Sequence, residues 1–511
     1  MGTPRDDRLR GTEQRDVIVG LAGDDDITSL GGDDLVCGGP GNDVIDVGAG
    51  NDRARGGDHY DMIDGRDGDD ILRIGPDGPS VILGPPVGGS ARGGGGADVI
   101  IASGPADLFG NRGDDRLVGG GSFDEFYGGP GDDVMDGRGS SDLVSFTRSP
   151  RGVRVDLGGK VATGFGDDRV ISISRIEGSM FRDRLIGDRS NNDLYGRDGV
   201  DVIVGRGGRD HLEGDRNSDR LRGGPGNDRL LPGAGDDVAR GGKGRDGLAF
   251  EPLHEPRPTH GVVVNLRSGT SEGQGSDRVA AIENTSGTRF PDVLIGNDER
   301  NLLSAAGGAD RLVGSRGRDR LVPGVGADEV RGDEGVDLVS FSKAVNASLV
   351  TGDATGEGAD TLVAVESIEA GDGEDVLVGD DSRNYLEGGG GNDSVDGGGG
   401  DDLIWGGVFV ARGAGDGYCS DVIFESPQGD DVLNGGDGDD VIHGGFVWRN
   451  RPSCVQASDG RDQIFGDAGD DVLTGDQARD ELDGGEGVDS LDGGGGRDVC
   501  VNGESVRSCE S

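Results

Sequence analysis

The sequence predicts an all-β chain, a parallel β-roll or right-handed β-solenoid, and three observations predict it. The nonapeptide Gly-Gly-x-Gly-x-Asp-x-U-x, with U a large aliphatic residue, recurs through most of the 511 residues. Glycine accounts for 108 of them, and 99 acidic residues against 50 basic ones leave a formal charge of -49. Only 32% of the chain is hydrophobic and 4% aromatic, yet its Val, Ile and Leu are periodic. Scattered, so few apolar residues would leave a disordered chain. Stacked repeat on repeat, they fill a thin continuous core.

The register is strict at the start. From Gly11 to Arg73 the acidic position falls at Asp16, Asp25, Asp34, Asp43, Asp52, Asp61 and Asp70, and two residues on sit Ile18, Ile27, Val36, Ile45, Ala54, Ile63 and Leu72. Glycines at the first, second and fourth positions are expected to adopt backbone conformations closed to other residues, so that six residues make a tight turn. The other three make a strand whose aliphatic residue faces inward while its neighbours face water. Two repeats complete a coil, which puts Asp25, Asp43 and Asp61 in one column and Asp16, Asp34, Asp52 and Asp70 in the opposite one.

Such columns need a counter-charge. At the strand spacing of roughly 4.8 Å, neighbouring carboxylates repel by about 3 to 4 kcal/mol at an effective dielectric of 20. A hard divalent cation between successive turns answers this, and carboxylate and carbonyl oxygens in irregular geometry describe calcium. Magnesium wants a stricter octahedron. Zinc and copper are disfavoured because the period offers neither His nor Cys at its ligand positions. The same negative charge argues against nucleic acid and anionic membranes as partners.

On this repeat the chain resembles the repeats-in-toxin (RTX), or hemolysin-type calcium-binding, family over most of its length. The resemblance implies the parallel β-roll, folding after secretion, and calcium held by the Asp side chain and loop carbonyls of adjacent turns. It gives the ligand role to Asp16, Asp25, Asp34, Asp43, Asp52, Asp61, Asp70, Asp115, Asp124, Asp133 and Asp142 in a first block. In a second block it gives it to Asp183, Asp201, Asp210, Asp219, Asp228, Asp237 and Asp246, and in a third to Asp292, Asp310, Asp319, Asp328 and Asp337. In a fourth it gives it to Asp375, Asp393, Asp402, Asp431, Asp440, Asp471, Asp480, Asp489 and Asp498. Asp98, Asp421 and Asp462 share the period. Roughly 20 to 30 calcium ions follow if most stacked pairs are filled.

The reading divides the chain into an N-terminal tail (1–10), roll blocks at 11–145, 178–249, 287–340 and 370–501, connectors at 146–177, 250–286 and 341–369, and a C-terminal cap (502–511). A Pro/Gly-rich interruption at 75–96 reads as a bulging loop, and insertions break the fourth block at 408–420 and 446–458. The connectors share marks. Ser145-Phe146, Ala249-Phe250 and Ser340-Phe341 open them, Val153-Arg154-Val155-Asp156-Leu157 matches Val262-Val263-Val264-Asn265-Leu266, and Ile176-Glu177, Ile282-Glu283 and Ile368-Glu369 close them. They read as strands continuing the roll, with the Phe plugging the core, and they show no ligand cluster.

Asn192, Asn301 and Asn384 replace Asp in the second repeat of each later block, either as weaker calcium ligands or as caps that hydrogen-bond their own turn. Arg53, Arg184, Arg220 and Arg229 beside the Asp positions either trim affinity or pair with surface carboxylates. Cys500 and Cys509 bracket the last repeat, and a bridge there would cap the roll's open end. Cys419 and Cys454 lie in the two insertions, and Cys37 reads as a small buried strand residue. The insertions, with Phe409, Tyr418, Phe446 and Trp448, suit either binding of a surface or protein ligand or packing on the roll's edge.

No apolar run approaches the roughly 18 residues of a membrane span, and Met1-Gly2-Thr3-Pro4-Arg5-Asp6-Asp7 carries no apolar signal segment. Calcium dependence nevertheless favours the exterior, so either a signal peptide precedes Met1 or another signal directs export. An active site is not legible. His-Glu-x-x-His is absent and His59, His211, His254, His260 and His443 are dispersed. Gly269-Thr270-Ser271-Glu272-Gly273 matches a nucleophile elbow, but it lies in a connector where the corresponding residues are Ala162 and Ala354. The expectation is a secreted, non-enzymatic calcium-binding repeat protein serving as a structural, surface or adhesive module. The alternative is the roll of, or a relative of, a secreted toxin or hydrolase.

Overall fold

The computed structural model describes residues 1–74, 89–139, 141–251, 257–407, 431–438, 440–444, 460–475 and 478–509. The two insertions, Asp421, Cys419, Cys454 and the stretch 75–88 lie outside them. Among the described residues there is no helix, and short strands stack parallel into β-roll. The chain forms two compact units, Met1–Arg257 with Gln274–Ile282, and Pro258–Gly273 with Glu283–Ser511. The division falls inside the second connector.

In the first unit the strands Val17–Val19, Leu35–Pro40, Arg53–Asp58, Ile71–Ile74, Val99–Ala102, Arg116–Val118 and Val134–Asp136 pair in sequence on one face. Their register sets Ile18, Val36, Ala54, Leu72, Ile100, Leu117 and Met135 in one buried row. Ile27, Ile45, Ile63, Ala91, Leu108, Phe126 and Val144 make the row opposite. The second unit repeats the plan, with Leu294, Leu312, Val330 and Leu362 on one face and Leu303, Leu321, Val339, Ile368 and Leu386 on the other. One inward side chain per strand makes most of the apolar core, joined in places by others such as Val47, Ile74 and Val118. Each contributes about 1.5 to 3 kcal/mol when buried, so every strand depends on its neighbours along the row.

Several expectations need correction. The strand Arg8–Arg10 pairs with Asp26–Thr28, so the end of the N-terminal tail is already a rung of the roll. Gly89–Gly95, expected within a bulging loop, is a strand between Met62–Asp64 and Ala106–Arg112. The connectors do not simply continue the parallel order. In the first, Arg154–Asp156 pairs parallel with Arg184–Ile186 and Asp167–Ile171 pairs parallel with Val134–Asp136, but Val161–Thr163 runs antiparallel between them. The third connector does the same with Asn346–Ser348, Asp353–Thr355 and Ala359–Val363. Alternating apolar residues fit a strand in either direction, so the pattern hides the reversal. The entry residues Phe146, Phe250 and Phe341 are buried, as expected of plugs. Cys37 is partly exposed because it follows the inward Val36 by one residue and therefore faces out. Cys500 and Cys509 are joined by a disulfide, their Cα atoms 5.9 Å apart.

The three glycines are not equivalent. Gly41, in the fourth position, has φ +149, as the backbone argument requires. Gly38, in the first position, is not in the left-handed region; instead a Cβ there would run into Asp43 Oδ2 and stand 2.8 Å from the Gly56 carbonyl oxygen. At Gly38 the missing Cβ leaves room for the carboxylate, although Ser29 and Val47 hold the same position in the neighbouring repeats. Gly38→Ala is therefore expected to lower thermal stability of the calcium-loaded chain by about 1 to 3 kcal/mol. A variant as stable as the parent in thermal unfolding contradicts the crowding.

Candidate metal centre

Each register Asp ends a turn and begins a strand, and the stacking of coils places it directly beside its counterpart one coil away. The backbone N–H of one donates to Oδ1 of the next. In the first unit the chain of donors runs from Asp16 through Asp34, Asp52, Asp70, Asp98, Asp115 and Asp133 to Asp168, at 2.7 to 3.1 Å. On the other edge it runs from Asp7 through Asp25 and Asp43 to Asp61 at 2.9 to 3.1 Å. In the second unit it joins Asp292, Asp310, Asp328 and Asp360 at 2.7 to 2.9 Å. The expected columns exist, each carboxylate held by half.

The other half has no donor. Oδ2 of Asp25, Asp34, Asp43, Asp52, Asp61, Asp70, Asp98, Asp115 and Asp133 is buried without a hydrogen-bond partner, as is that of Asp201, Asp210, Asp219, Asp228 and Asp237. The same holds in the second unit for Asp310, Asp319, Asp328, Asp337, Asp360, Asp375, Asp393, Asp402, Asp489 and Asp498. A buried, unsatisfied carboxylate oxygen is costly and demands a cation or a proton. Where glycine stands five residues earlier, as it does for most of these residues, the oxygen crowds that glycine's Cα, often with a carbonyl from the next coil. A Cβ on Gly196 would meet Asp201 Oδ2 at 2.7 Å and the Gly214 oxygen at 2.9 Å; one on Gly388 would meet Asp393 Oδ2 at 2.6 Å and the Gly406 oxygen at 2.7 Å. The donors in this cradle are all oxygen. No three His, Cys, Asp or Glu side chains gather into a metal cluster among the described residues, so an ion here takes carbonyls beside its carboxylates. That donor set fits calcium.

The family model of the RTX calcium-binding nonapeptide repeat (4 copies) matches residues 1–36, 38–72, 109–144, 177–212, 213–248, 286–321, 305–339, 369–404, 428–446, 455–482 and 465–500. The chain belongs to the RTX calcium-binding nonapeptide repeat family. No curated protein matches it. As a member of the RTX family it binds multiple calcium ions through these repeats.

The RTX repeats here fall into two chemical groups. Beyond the Asp residues with an unpartnered oxygen, Asp142, Asp246, Asp431, Asp440, Asp471 and Asp480 occupy the same columns, each accepting the N–H of the preceding register residue at 2.8 to 3.0 Å. Asp16, Asp183 and Asp292 instead engage Oδ2 locally, with the N–H of Thr12, Ser179 and Thr288 four residues earlier, each at 2.6 Å. Asp124 does so with Gly120 at 2.8 Å. Oδ1 of Asp124 is buried with no hydrogen-bond partner, whereas the turns of Asp16, Asp183 and Asp292 are already closed without an ion. Asn192, Asn301 and Asn384 behave likewise: Oδ1 accepts from the N–H of Asp188, Asn297 and Asp380 at 2.8, 2.7 and 2.7 Å. Nδ2 of Asn301 and Asn384 donates to the carbonyls of Glu283 and Glu366 at 2.8 and 3.1 Å. This is the capping alternative, and it explains the amide, since a carboxylate has no hydrogen to give.

Sequence reasoning missed ligand-column residues inside the connectors. Asp168, Asp277 and Asp360 accept the N–H of Asp133, Asp237 and Asp328 at 3.1, 3.0 and 2.9 Å. The signal was present as Gly164-x-Gly166-x-Asp168, Gly273-x-Gly275-x-Asp277 and Gly356-x-Gly358-x-Asp360, a nonapeptide lacking its first glycine. Glu366 and Glu504 take the same place for Asp337 and Asp489, both at 2.8 Å. A second, exposed ladder runs the opposite way, in which Asp24 and Asp33 accept the N–H of Asn42 and Asn51 one coil later at 2.8 and 3.0 Å.

Burial pushes Asp70, Asp115 and Asp201 up to about 8 and Asp219 up to about 9; neighbouring carboxylates add to the rise while the backbone donors oppose it. In the folded, calcium-free roll these carboxyls hold their protons to higher pH than free carboxyls do. Because the folded values lie above the unfolded ones, their contribution to stability is full below about pH 4 and is lost as pH rises through the folded values. The calcium-free roll is accordingly expected to be stabilised by acid and to unravel between about pH 6 and 9. Calcium binding near pH 7 should release protons, measurable by calorimetry in buffers of different ionisation enthalpy; binding without proton release contradicts this assignment. For the capped repeats, Asn301→Asp is expected to lose about 1 to 2 kcal/mol by removing the donor to Glu283, whereas Asp219→Asn should lower calcium stoichiometry. Equilibrium dialysis separates the two.

Proposed function

We propose that this calcium-binding repeat protein works outside the cell as a structural, surface or adhesive module, folded by the calcium it meets there. The observation that carries the reading is the row of buried carboxylate oxygens with no protein partner. Where acid does not protonate them, a roll that buries them depends on abundant calcium. A site with a dissociation constant of about 0.1 mM gains roughly 1.4 kcal/mol at 1 mM calcium and almost nothing at submicromolar cytosolic levels. Summed over many sites, that difference exceeds the stability of a typical domain.

A non-enzymatic role is supported by the place of Ser271. It is buried in the middle of the strand Thr270–Glu272, opposite Val264, just as Ala162 stands opposite Val155 and Ala354 opposite Ala347. Its position is that of a core residue, not of a nucleophile raised on a strand-to-helix turn. Fractionation of the producing cells tests the reading. The protein is expected in the medium or on the envelope, released from the latter by a calcium chelator. Recovery of folded, calcium-loaded protein from the cytosol contradicts it.

A further inference from the structure

The first unit carries a site of a different kind on the outside of the roll. Phe109 and Tyr127 occupy the outward last position of their repeats on the adjacent strands Ala106–Arg112 and Asp124–Tyr127, directly opposite each other in register. Their rings stack with centroids 4.5 Å apart and planes 12° from parallel. Arg92 stands over Phe109 at 5.2 Å, and Arg148, from the start of the first connector, stands 5.1 Å from Phe109 and 5.5 Å from Tyr127. Beside these rings lies a depression of about 240 Å³, lined also by Phe146, Phe165, Arg112 and Asn111. Four aromatic residues meet here in a chain that is 4% aromatic.

Two of these arginines lie against aromatic rings. Acidic residues outnumber basic ones 99 to 50, and some arginines elsewhere reach carboxylates, as Arg66 does Asp46 and Arg206 does Asp156. Arg112 and Arg148 make no ion pair among the described residues. Burial raises the pKa of the Asp107 carboxyl, and Arg92 lies close enough to Asp107 to oppose that rise. A guanidinium laid against an aromatic ring is held by its faces and keeps its in-plane N–H donors for another partner. The nearby carboxylate of Glu125 is engaged by the Tyr127 hydroxyl at 2.9 Å.

We propose that this depression binds the carboxylate of a single acidic sugar unit, a hexuronate. Arg112 and Arg148 line the depression, and a guanidinium edge matches a planar carboxylate in bidentate fashion; Phe146 and Phe165 beside them offer apolar surface to a pyranose ring, and Asn111 with the adjoining backbone serves hydroxyl groups. The cavity is below the usual range for drug-sized ligands, which limits it to about one ring. The net charge of the chain repels a long polyanion, so an end unit is favoured over the middle of an acidic polymer.

The test uses the calcium-loaded full chain titrated with methyl β-D-glucuronide, methyl β-D-glucoside and inorganic phosphate, followed by NMR or calorimetry. Saturable binding of the glucuronide, weakened about tenfold or more by Arg148→Ala, with neither control competing at equal concentration, is the expected result. The calcium dependence of circular dichroism should be the same in Arg148→Ala as in the parent, which separates lost binding from lost folding. Equal binding of glucuronide and glucoside, competition by phosphate at equal strength, no effect of Arg148→Ala, or no saturable binding at all overturns the proposal.

Discussion

One buried carboxylate per nine residues, with one oxygen satisfied by the backbone of the neighbouring coil and the other by nothing in the protein, is the constraint on which the roll depends. The apolar core is a single side chain deep on each face, so it cannot alone offset the burial of charge in every turn. The Oδ1 ladder registers each coil against the next, and the partnerless Oδ2 makes that registration conditional on a cation or a proton. Stability, ion uptake and pH response are thus one equilibrium.

The connectors acquire a meaning in this light. Each inserts a reversed strand on one face, then restores the column through a carboxylate of its own, Asp168 in the first and Asp360 in the third. The turns that follow, at Asp183, Asn192, Asp292, Asn301 and Asn384, satisfy their side chains from within. The stretches after the connectors are therefore the least dependent on metal, and the uninterrupted columns the most. In a quasi-one-dimensional fold, where each coil touches only its neighbours, such self-satisfied turns give growing columns a fixed base.

Much of this was legible in the sequence because the nine-residue period carries both the metal chemistry and the core. The columns of Asp25 with Asp43 and of Asp34 with Asp52, the inward Ile18, Ile27 and Val36, the plugging Phe146 and the bridge of Cys500 to Cys509 all follow from spacing. What escaped was three-dimensional. Direction is invisible in an alternating pattern, so the reversal at Val161–Thr163 was missed. Asp168 was passed over because Thr163, five residues before it, lies in that reversed strand and need not be glycine. The role of Gly38 lies in a contact with Asp43, which φ preferences do not reveal. The aromatic and arginine cluster around Phe109 draws on several strands and a connector, and nothing in the repeat announces it.

The most direct test of the account is a calcium titration of the chelator-stripped full chain at neutral pH, followed by far-UV circular dichroism, with magnesium at equal concentration as the control. The account predicts a cooperative gain of β-structure driven by calcium and not by magnesium. A chain already β-structured in chelator and unchanged by calcium would contradict it, since the buried oxygens would then need no ion.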